Sequence, residues 1–294
     1  MTTDMETDGD ERLADGGADG GAPRLTAAQR LHLDVYGFVL LDNALTSDEV
    51  ARTKDALYRL RAEPDLERFR VYVNHRSDHH LSVGHLVEYD PALLEYASHP
   101  RLIPLVEEFV GGSVRLEESE AIINRRGPDT PAESSTDRGS ARRVEPLGFH
   151  TGTRHGWGTY YQDHHFHSLF VKTLAYLTDV GPDDGGTAVI PGSHRLSWPV
   201  QDIIDAALED NRLIHQVEAT AGSVLLFSEA LVHSTTAIRS DRERVVLISG
   251  YTPPMMREWP GNELSPEFVR SLPDNVRPLI SGSESWHWKR HERG

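Results

Sequence analysis

From Val114 onward the chain breaks into short β-rich runs, at 114–124, 144–150, 169–178, 186–190, 222–228 and 244–252, with turn residues between them. Runs of this length, rich in Val, Ile, Leu and Thr, read as strands. Several in succession have to close on one another, and the expectation is a β-sandwich or barrel, specifically a double-stranded jelly roll. The segment before Val114 has a different texture. Thr26 with Gln29 fits a capping box, and Leu31 and Val35 give a short amphipathic helix that Gly37 ends. Phe38-Val39-Leu40-Leu41 is a short apolar strand. Thr46 with Glu49 opens a second helix that buries Val50, Leu57 and Leu60 and runs to about Leu60. Asp90-Pro91 and His99-Pro100 each predict a helix start with proline in the first turn, and Gly111-Gly112 closes this helical part. The fold class expected is therefore mainly β with α: a jelly-roll core with N-terminal helices packed on it.

Residues 1–24 hold seven acids, two arginines and five glycines and almost no large apolar group, a composition that predicts a disordered tail. Residues 25–294 read as one domain, since a chain of 294 residues can bury a sizeable core without staples. The stretch from Gly127 to Ser140 is rich in Pro, Ser, Asp and Gly and predicts a long lid-like or disordered loop. Residues 199–215 look helical, and the end, with Trp286-His287-Trp288, is expected to pack back on the domain. The absence of cysteine excludes disulfides, Fe–S clusters and thiol chemistry, and suits a cytoplasmic enzyme. No apolar run is long enough to span a membrane, and no signal-peptide pattern opens the chain. A net charge of −16 disfavours binding to a nucleic-acid polymer, though a small anion could still meet a local Arg or His cluster.

Two histidines then stand out. His150, in Leu147-Gly148-Phe149-His150-Thr151-Gly152, and His233 lie 83 residues apart in strand-like segments. Histidines distant in sequence that meet in space are a common way to hold a metal, and non-haem Fe(II) oxygenases use two His and one carboxylate on one face. The carboxylate normally follows the first His in a His-x-Asp/Glu triplet. Here the triplet ends in Gly152, which has no side chain.

The segments "LTAAQRLHLDVYGFVLLDNALTSDEV", "YLTDVGPDDGGTAVIPGSHR" and "AGSVLLFSEALVHSTTAIRSDRERVVLISGY" resemble the phytanoyl-CoA dioxygenase family, over roughly residues 25–255. The Gly-Gly-x-x-x-Ile-Pro-Gly-Ser-His turn at 185–194, followed by the distal histidine, is the most specific part. The resemblance implies a cupin-like double-stranded β-helix with Fe(II), 2-oxoglutarate and O2. It implies that His150 and His233 bind the metal and that Arg244 pairs with the far carboxylate of 2-oxoglutarate. Thr235 would contact the same co-substrate, and Asn124, Arg125 or Arg126 would line the site. Gly152 departs from the family pattern. The related non-haem iron halogenases carry His-x-Ala or His-x-Gly, and a halide takes the vacant position at iron. The resemblance therefore implies a halogenase that uses chloride to replace an aliphatic hydrogen, with Gly152 marking the halide position.

Two other readings stay open. The carboxylate could come from elsewhere, with Asp163 the nearest candidate, giving a hydroxylase with unusual ligation; or the chain could be a catalytically dead jelly-roll binding protein. Arg154, His155, Trp157 and Tyr160 follow the triplet and suit a phosphate and a base. The His-x-Gly triplet in this frame resembles the nucleotide halogenases of purine nucleoside antibiotic pathways, and that resemblance implies a small-molecule substrate such as the sugar of a purine deoxynucleotide carried as its monophosphate. Of the remaining histidines, His164, His165 and His167 are read as mixed substrate contact and surface, and His194 as a structural residue of its turn.

Overall fold

A computed structural model of the protein describes residues 22, 24–130, 143–154, 157–257 and 263–282. The acidic tail, most of the 127–140 loop and the Trp286–Trp288 end therefore lie largely or wholly outside the described residues. The helical part begins with α1 (Ala27–Tyr36), where Thr26 and Gln29 exchange the two bonds of the capping box and Gly37 closes the helix at φ +86°. Its buried face differs from the one expected: Arg30 and Leu33 point inward, while Leu31 and Val35 are exposed. Arg30 tolerates burial because it pairs with Asp34 at 3.1 Å and donates to the Phe166 carbonyl. Next come β1 (Phe38–Leu41) and α2 (Ser47–Ala62), the latter burying Val50, Leu57 and Leu60 as its pattern predicts. The hairpin β2 (Tyr72–Arg76) and β3 (His80–Gly84) had no clear sequence signal. Asp90 caps α3 (Pro91–Ala97), whereas α4 (Ile103–Val110) starts three residues after Pro100 and takes Pro104 in its first turn.

The strand-rich part holds β4 (Arg115–Asn124), β5 (Thr159–Gln162), β6 (His165–Ser168), β7 (Val171–Tyr176) and β8 (Thr187–Val189). After α5 (Val200–Glu209) follow β9 (His215–Gln216), β10 (Val224–Ser228), β11 (His233–Thr235) and β12 (Arg244–Thr252), then α6 (Pro266–Ser271) and α7 (Arg277–Ser281). Seven strands form one sheet in the order β1-β10-β7-β12-β4-β3-β2, three form a second in the order β11-β8-β9, and β5-β6 is a separate hairpin. Every pairing is antiparallel. Residues 144–150 do not make the continuous strand expected of them. Pro146 and His150 each form a single bridge, to Thr236 and His233, and between them the Gly148 amide bonds the Ser234 hydroxyl instead of a backbone carbonyl. Proline and glycine both interrupt a ladder in this way.

Side-chain alternation gives the large sheet two apolar faces. Ala121, Ile123, Ala175, Leu226 and Leu247 share a core with Leu57, Leu60, Leu105 and Phe109 of the helices. Leu174, Tyr176, Leu225, Phe227 and Val246 face the other way and pack with Val189, Val217 and Leu231. This second layer is the inside of the sandwich, and it opens into a cavity where β11 meets the segment ending at His150.

His194 has the structural place expected of it. Only 2% exposed, it sits edge-on to Phe166 with ring centroids 4.6 Å apart and lies against the backbone of Gly37. Burial, reinforced by the Arg195 cation, pushes the imidazole down to about 4. The unfolded chain, with its histidine near 6.5, takes up the proton first as pH falls. Stability is therefore full above about pH 6.5 and drains away between there and about pH 4, by about 2 kcal/mol at pH 5. A His194→Gln variant, which does not titrate, should lose about 2 kcal/mol less than the wild type between pH 7 and pH 5 in urea unfolding. Equal losses in the two proteins would show that His194 is not held neutral.

Candidate metal centre

His150 and His233 face each other across the single bridge. They exchange both backbone hydrogen bonds, at 2.9 and 3.0 Å, and this brings their rings to 4.3 Å between centroids at 55°. His233 donates from Nδ1 to the Leu231 carbonyl at 2.8 Å. That bond fixes the tautomer and leaves Nε2 with a free lone pair, the usual arrangement of a ligating histidine. His150 has a longer Nδ1 contact, 3.4 Å, to the Gly148 carbonyl. Phe227 stands edge-on to His233 at 5.0 Å. Although part of the His233 surface opens to the cavity, its depth in the fold, with His150 beside it, holds it down to about 3. It is thus neutral at pH 7, the form that binds metal.

The cavity above the two rings has a volume of about 440 Å³. That falls in the range of small-molecule sites. Arg244 enters it from the first position of β12, opposite Asn124. The guanidinium is 2% exposed, and its Nε and Nη1 find no acceptor among the described residues. Burial lowers its pKa from the ordinary value. A buried cation with open donors is a receptor for an anion, and a planar guanidinium suits a carboxylate. Thr235 lines the same cavity and donates its hydroxyl to the Gly185 carbonyl at 3.2 Å. Phe170, Leu174, Phe227 and Ile248 supply apolar walls.

Several expected residues stand elsewhere. Arg126 lies beyond the end of β4 and pairs with Asp241 at 2.6 Å, outside the cavity lining, because the carboxylate beside it satisfies its charge. Tyr160 donates its hydroxyl to the Val110 carbonyl at 2.6 Å and stacks on His167, so it ties the β5-β6 hairpin to α4 rather than facing substrate. His167 is buried with Nδ1 on the Phe109 carbonyl, and His165 binds Asp34. Trp157 is half-exposed against Phe170 at the cavity rim, Arg154 is exposed and does not line the cavity, and His155 lies outside the described residues. Asp163 is not the missing carboxylate. Asp163 and His164 both have positive φ and form the exposed two-residue turn of the β5-β6 hairpin.

The carboxylate beside Gly152 belongs to Glu229, which sequence reasoning passed over. It lies in the turn between β10 and β11, is 6% exposed, and lines the cavity beside His150, His233 and Gly152. Its backbone carbonyl accepts from the Gly152 amide at 3.0 Å. A Cβ at Gly152 would meet the Glu229 carboxylate, the far end of a flexible side chain. A lone acid inside the apolar run Leu225-Leu226-Phe227-Ser228-Glu229-Ala230-Leu231-Val232 was the available signal, because unpaired acids are seldom buried. Glu118 and Glu120 were legible in the same way, two residues apart in β4 and so on one face. Both line the cavity together with Glu117. Glu118 pairs with Lys172, and burial raises the pKa of Glu120.

Residues 33–246 match the phytanoyl-CoA dioxygenase family. The chain belongs to that family. Its members are non-haem iron, 2-oxoglutarate-dependent oxidoreductases. Among solved structures, the chain is similar to HygX from Streptomyces hygroscopicus with nickel, 2-oxoglutarate and hygromycin B bound. The two share 23% identity and a TM-score of 0.60 over 80% of this chain and 90% of that one. It is also similar to the 2-oxoglutarate-dependent carbocyclase SnoK from nogalamycin biosynthesis, at 18% identity and TM-score 0.59, covering 85% and 92%. The epimerase SnoN of the same biosynthesis gives 20% and 0.56, covering 76% and 82%. At these identities the likeness shows the fold. The donor set fits the family's groups on its own evidence: two apposed imidazoles, one of them fixed with Nε2 free, for iron, and an orphaned buried guanidinium for the far carboxylate of 2-oxoglutarate. No helix among the described residues is long and apolar enough to cross a membrane.

Proposed function

We propose that the protein is an Fe(II)/2-oxoglutarate-dependent oxygenase that oxidises an aliphatic C–H of a small molecule in natural-product biosynthesis. The observation that carries this reading is the convergence of His150, His233 and the unpartnered Arg244 on one cavity. His150 and His233 hold the metal, Arg244 with Thr235 orients the co-substrate, and Phe170, Leu174, Phe227 and Ile248 keep water from the reacting carbon. Iron, 2-oxoglutarate and O2 together supply the oxidant that breaks the C–H bond. Halogenation is the second reading. It is favoured by Gly152, which offers the metal no side chain and would leave a position for chloride. Turnover in chloride buffer, with products weighed by mass spectrometry, separates the two: oxygenation adds oxygen, and halogenation gives the chlorine isotope pair. An absence of any visible charge-transfer band on anaerobic addition of Fe(II) and 2-oxoglutarate would sink both.

The cavity's charge points to a substrate class. Glu117, Glu118, Glu120 and Glu229 line it against only Lys172 and Arg244. A bound Fe(II) and a 2-oxoglutarate dianion leave that balance unchanged, so the cavity attracts cations and repels phosphate. An amine-bearing small molecule fits better than a nucleoside monophosphate, and the antibiotic-pathway origin of the structural neighbours agrees with a natural-product substrate. Substrate-stimulated decarboxylation of 2-oxoglutarate should appear with amine-bearing candidates and fall when the same amines are acetylated. Equal stimulation by phosphate esters would overturn the charge argument.

A further inference from the structure

We propose that Glu229 is the third protein ligand of this metal centre, delivered from the β10–β11 turn in place of a carboxylate at position 152. The inference rests on the two-histidine iron site proposed above and adds the ligand which that site lacks. Three observations carry it. First, Glu229 is only 6% exposed and lines the same cavity as His150 and His233. The cavity's lysine does not serve it, since Lys172 is engaged with Glu118. Second, its carboxyl group occupies the point where a Cβ on residue 152 would stand. An aspartate at 152 would start its side chain in the space that Glu229 now fills. Third, the backbone ties the three side chains to one patch. Gly152 donates to the Glu229 carbonyl, and His150 exchanges two hydrogen bonds with His233.

Among the described residues no three His, Asp or Glu side chains yet converge on a single point. The proposal requires the flexible Glu229 side chain to turn toward the histidines when the metal binds. Gly152 then has a purpose that does not involve a halide: it leaves room for a carboxylate arriving from the opposite segment. A tethered anion at that position also competes with chloride, which favours oxygenation over halogenation.

The test is metal affinity, measured anaerobically with Fe(II) or Co(II) and without turnover. Glu229→Ala, which removes the ligand, should weaken binding by on the order of a hundred- to a thousand-fold, and Glu229→Gln, which keeps the shape and removes the charge, should weaken it in the same direction. Adding Gly152→Asp to Glu229→Ala moves the carboxylate back across the gap and should restore affinity to within about threefold of wild type. A purely structural role for Glu229 would not be rescued from the other segment, so weakening without rescue in a folded double variant overturns the proposal. If the double variant does not fold, the Co(II) d–d spectrum of Glu229→Gln decides: it changes if a ligand has been lost, and an unchanged spectrum is fatal. His233→Ala separates the two levels of the argument. Wild-type affinity in His233→Ala sinks the two-histidine centre itself, whereas weakened His233→Ala beside unchanged Glu229→Gln sinks the Glu229 assignment alone.

Discussion

Replacing Arg244 by methionine should make the empty protein more stable and nearly insensitive to 2-oxoglutarate. Both effects have one cause. Arg244 is 2% exposed, and two of its nitrogens have no acceptor among the described residues. Leaving buried donors unsatisfied costs about 1–3 kcal/mol, and an apolar side chain of similar length removes that cost. Arg244→Met should therefore raise the unfolding free energy of the apoprotein by roughly 1–3 kcal/mol. The same change removes the charged partner of the co-substrate's far carboxylate. A charge-assisted contact of that kind is worth about 1.5–3 kcal/mol, or roughly 10- to 150-fold in affinity. Saturating co-substrate stabilises the wild type by about 2.7 kcal/mol at one hundred times the dissociation constant, and would add little to the variant at that concentration. The variant's advantage should thus shrink by about 1.3–2.4 kcal/mol when 2-oxoglutarate is added at that concentration. Thermal unfolding of both proteins, with and without the co-substrate and a redox-inert metal, reads this directly. An Arg244→Met protein that is less stable when empty, or equally stabilised by 2-oxoglutarate, would show that Arg244 is structural.

How much of this was legible in the sequence depended on how local each signal is. Capping boxes at Thr26 and Thr46 are complete within four residues, and both helices start where the boxes put them. Five of the six expected β-rich runs became strands, because a short apolar run bounded by turn residues marks a strand buried largely on both faces. The sixth run failed where Pro146 and Gly148 break the ladder, although its end still delivers His150 to His233. The inward face of α1 was misread because Arg30 is held inside by Asp34 and the Phe166 carbonyl, and neither partner can be placed from the helix alone. The site divides in the same way. His150, His233, Thr235 and Arg244 sit in motifs of fixed spacing and meet in the cavity. Glu229 stands four residues before His233, but what matters about it is its approach to Gly152, 77 positions earlier, and only the folded backbone shows that contact. Arg126 was placed by the family resemblance and Tyr160 by nearness in sequence to the triplet, and each is claimed by a partner closer in space. The cavity's charge was hidden by the same separation, since its glutamates come from β4 and from the turn before β11.

His150→Ala and His233→Ala should cost the protein its metal to a similar degree while differing in stability. A tetrahedral structural zinc site is worth about 10–16 kcal/mol over four ligands, so one ligand accounts for roughly 2.5–4 kcal/mol, or on the order of a hundred- to a thousand-fold in affinity. Either histidine supplies one such bond, and either variant should lose turnover at ordinary Fe(II) concentrations. The apoproteins should not behave alike. His150 faces the open cavity and its Nδ1 contact is long, at 3.4 Å, so little packing is lost with its ring. His233 packs against Phe227 and donates to the Leu231 carbonyl at 2.8 Å, and alanine leaves both without a partner. Loss of one hydrogen bond and part of a ring contact should cost about 1–3 kcal/mol in the empty protein. The backbone bridge between the two residues involves no side chain and should survive in both, keeping the cavity open. Free imidazole can then enter the vacated space and act as a ligand, restoring part of the metal affinity in each variant. Isothermal titration with Fe(II) under anaerobic conditions, with and without imidazole, and urea unfolding of the apoproteins provide the two readouts. Metal affinity that falls in only one variant would mean that the pair does not share an ion, and the tilted contact of the two rings would then be packing alone.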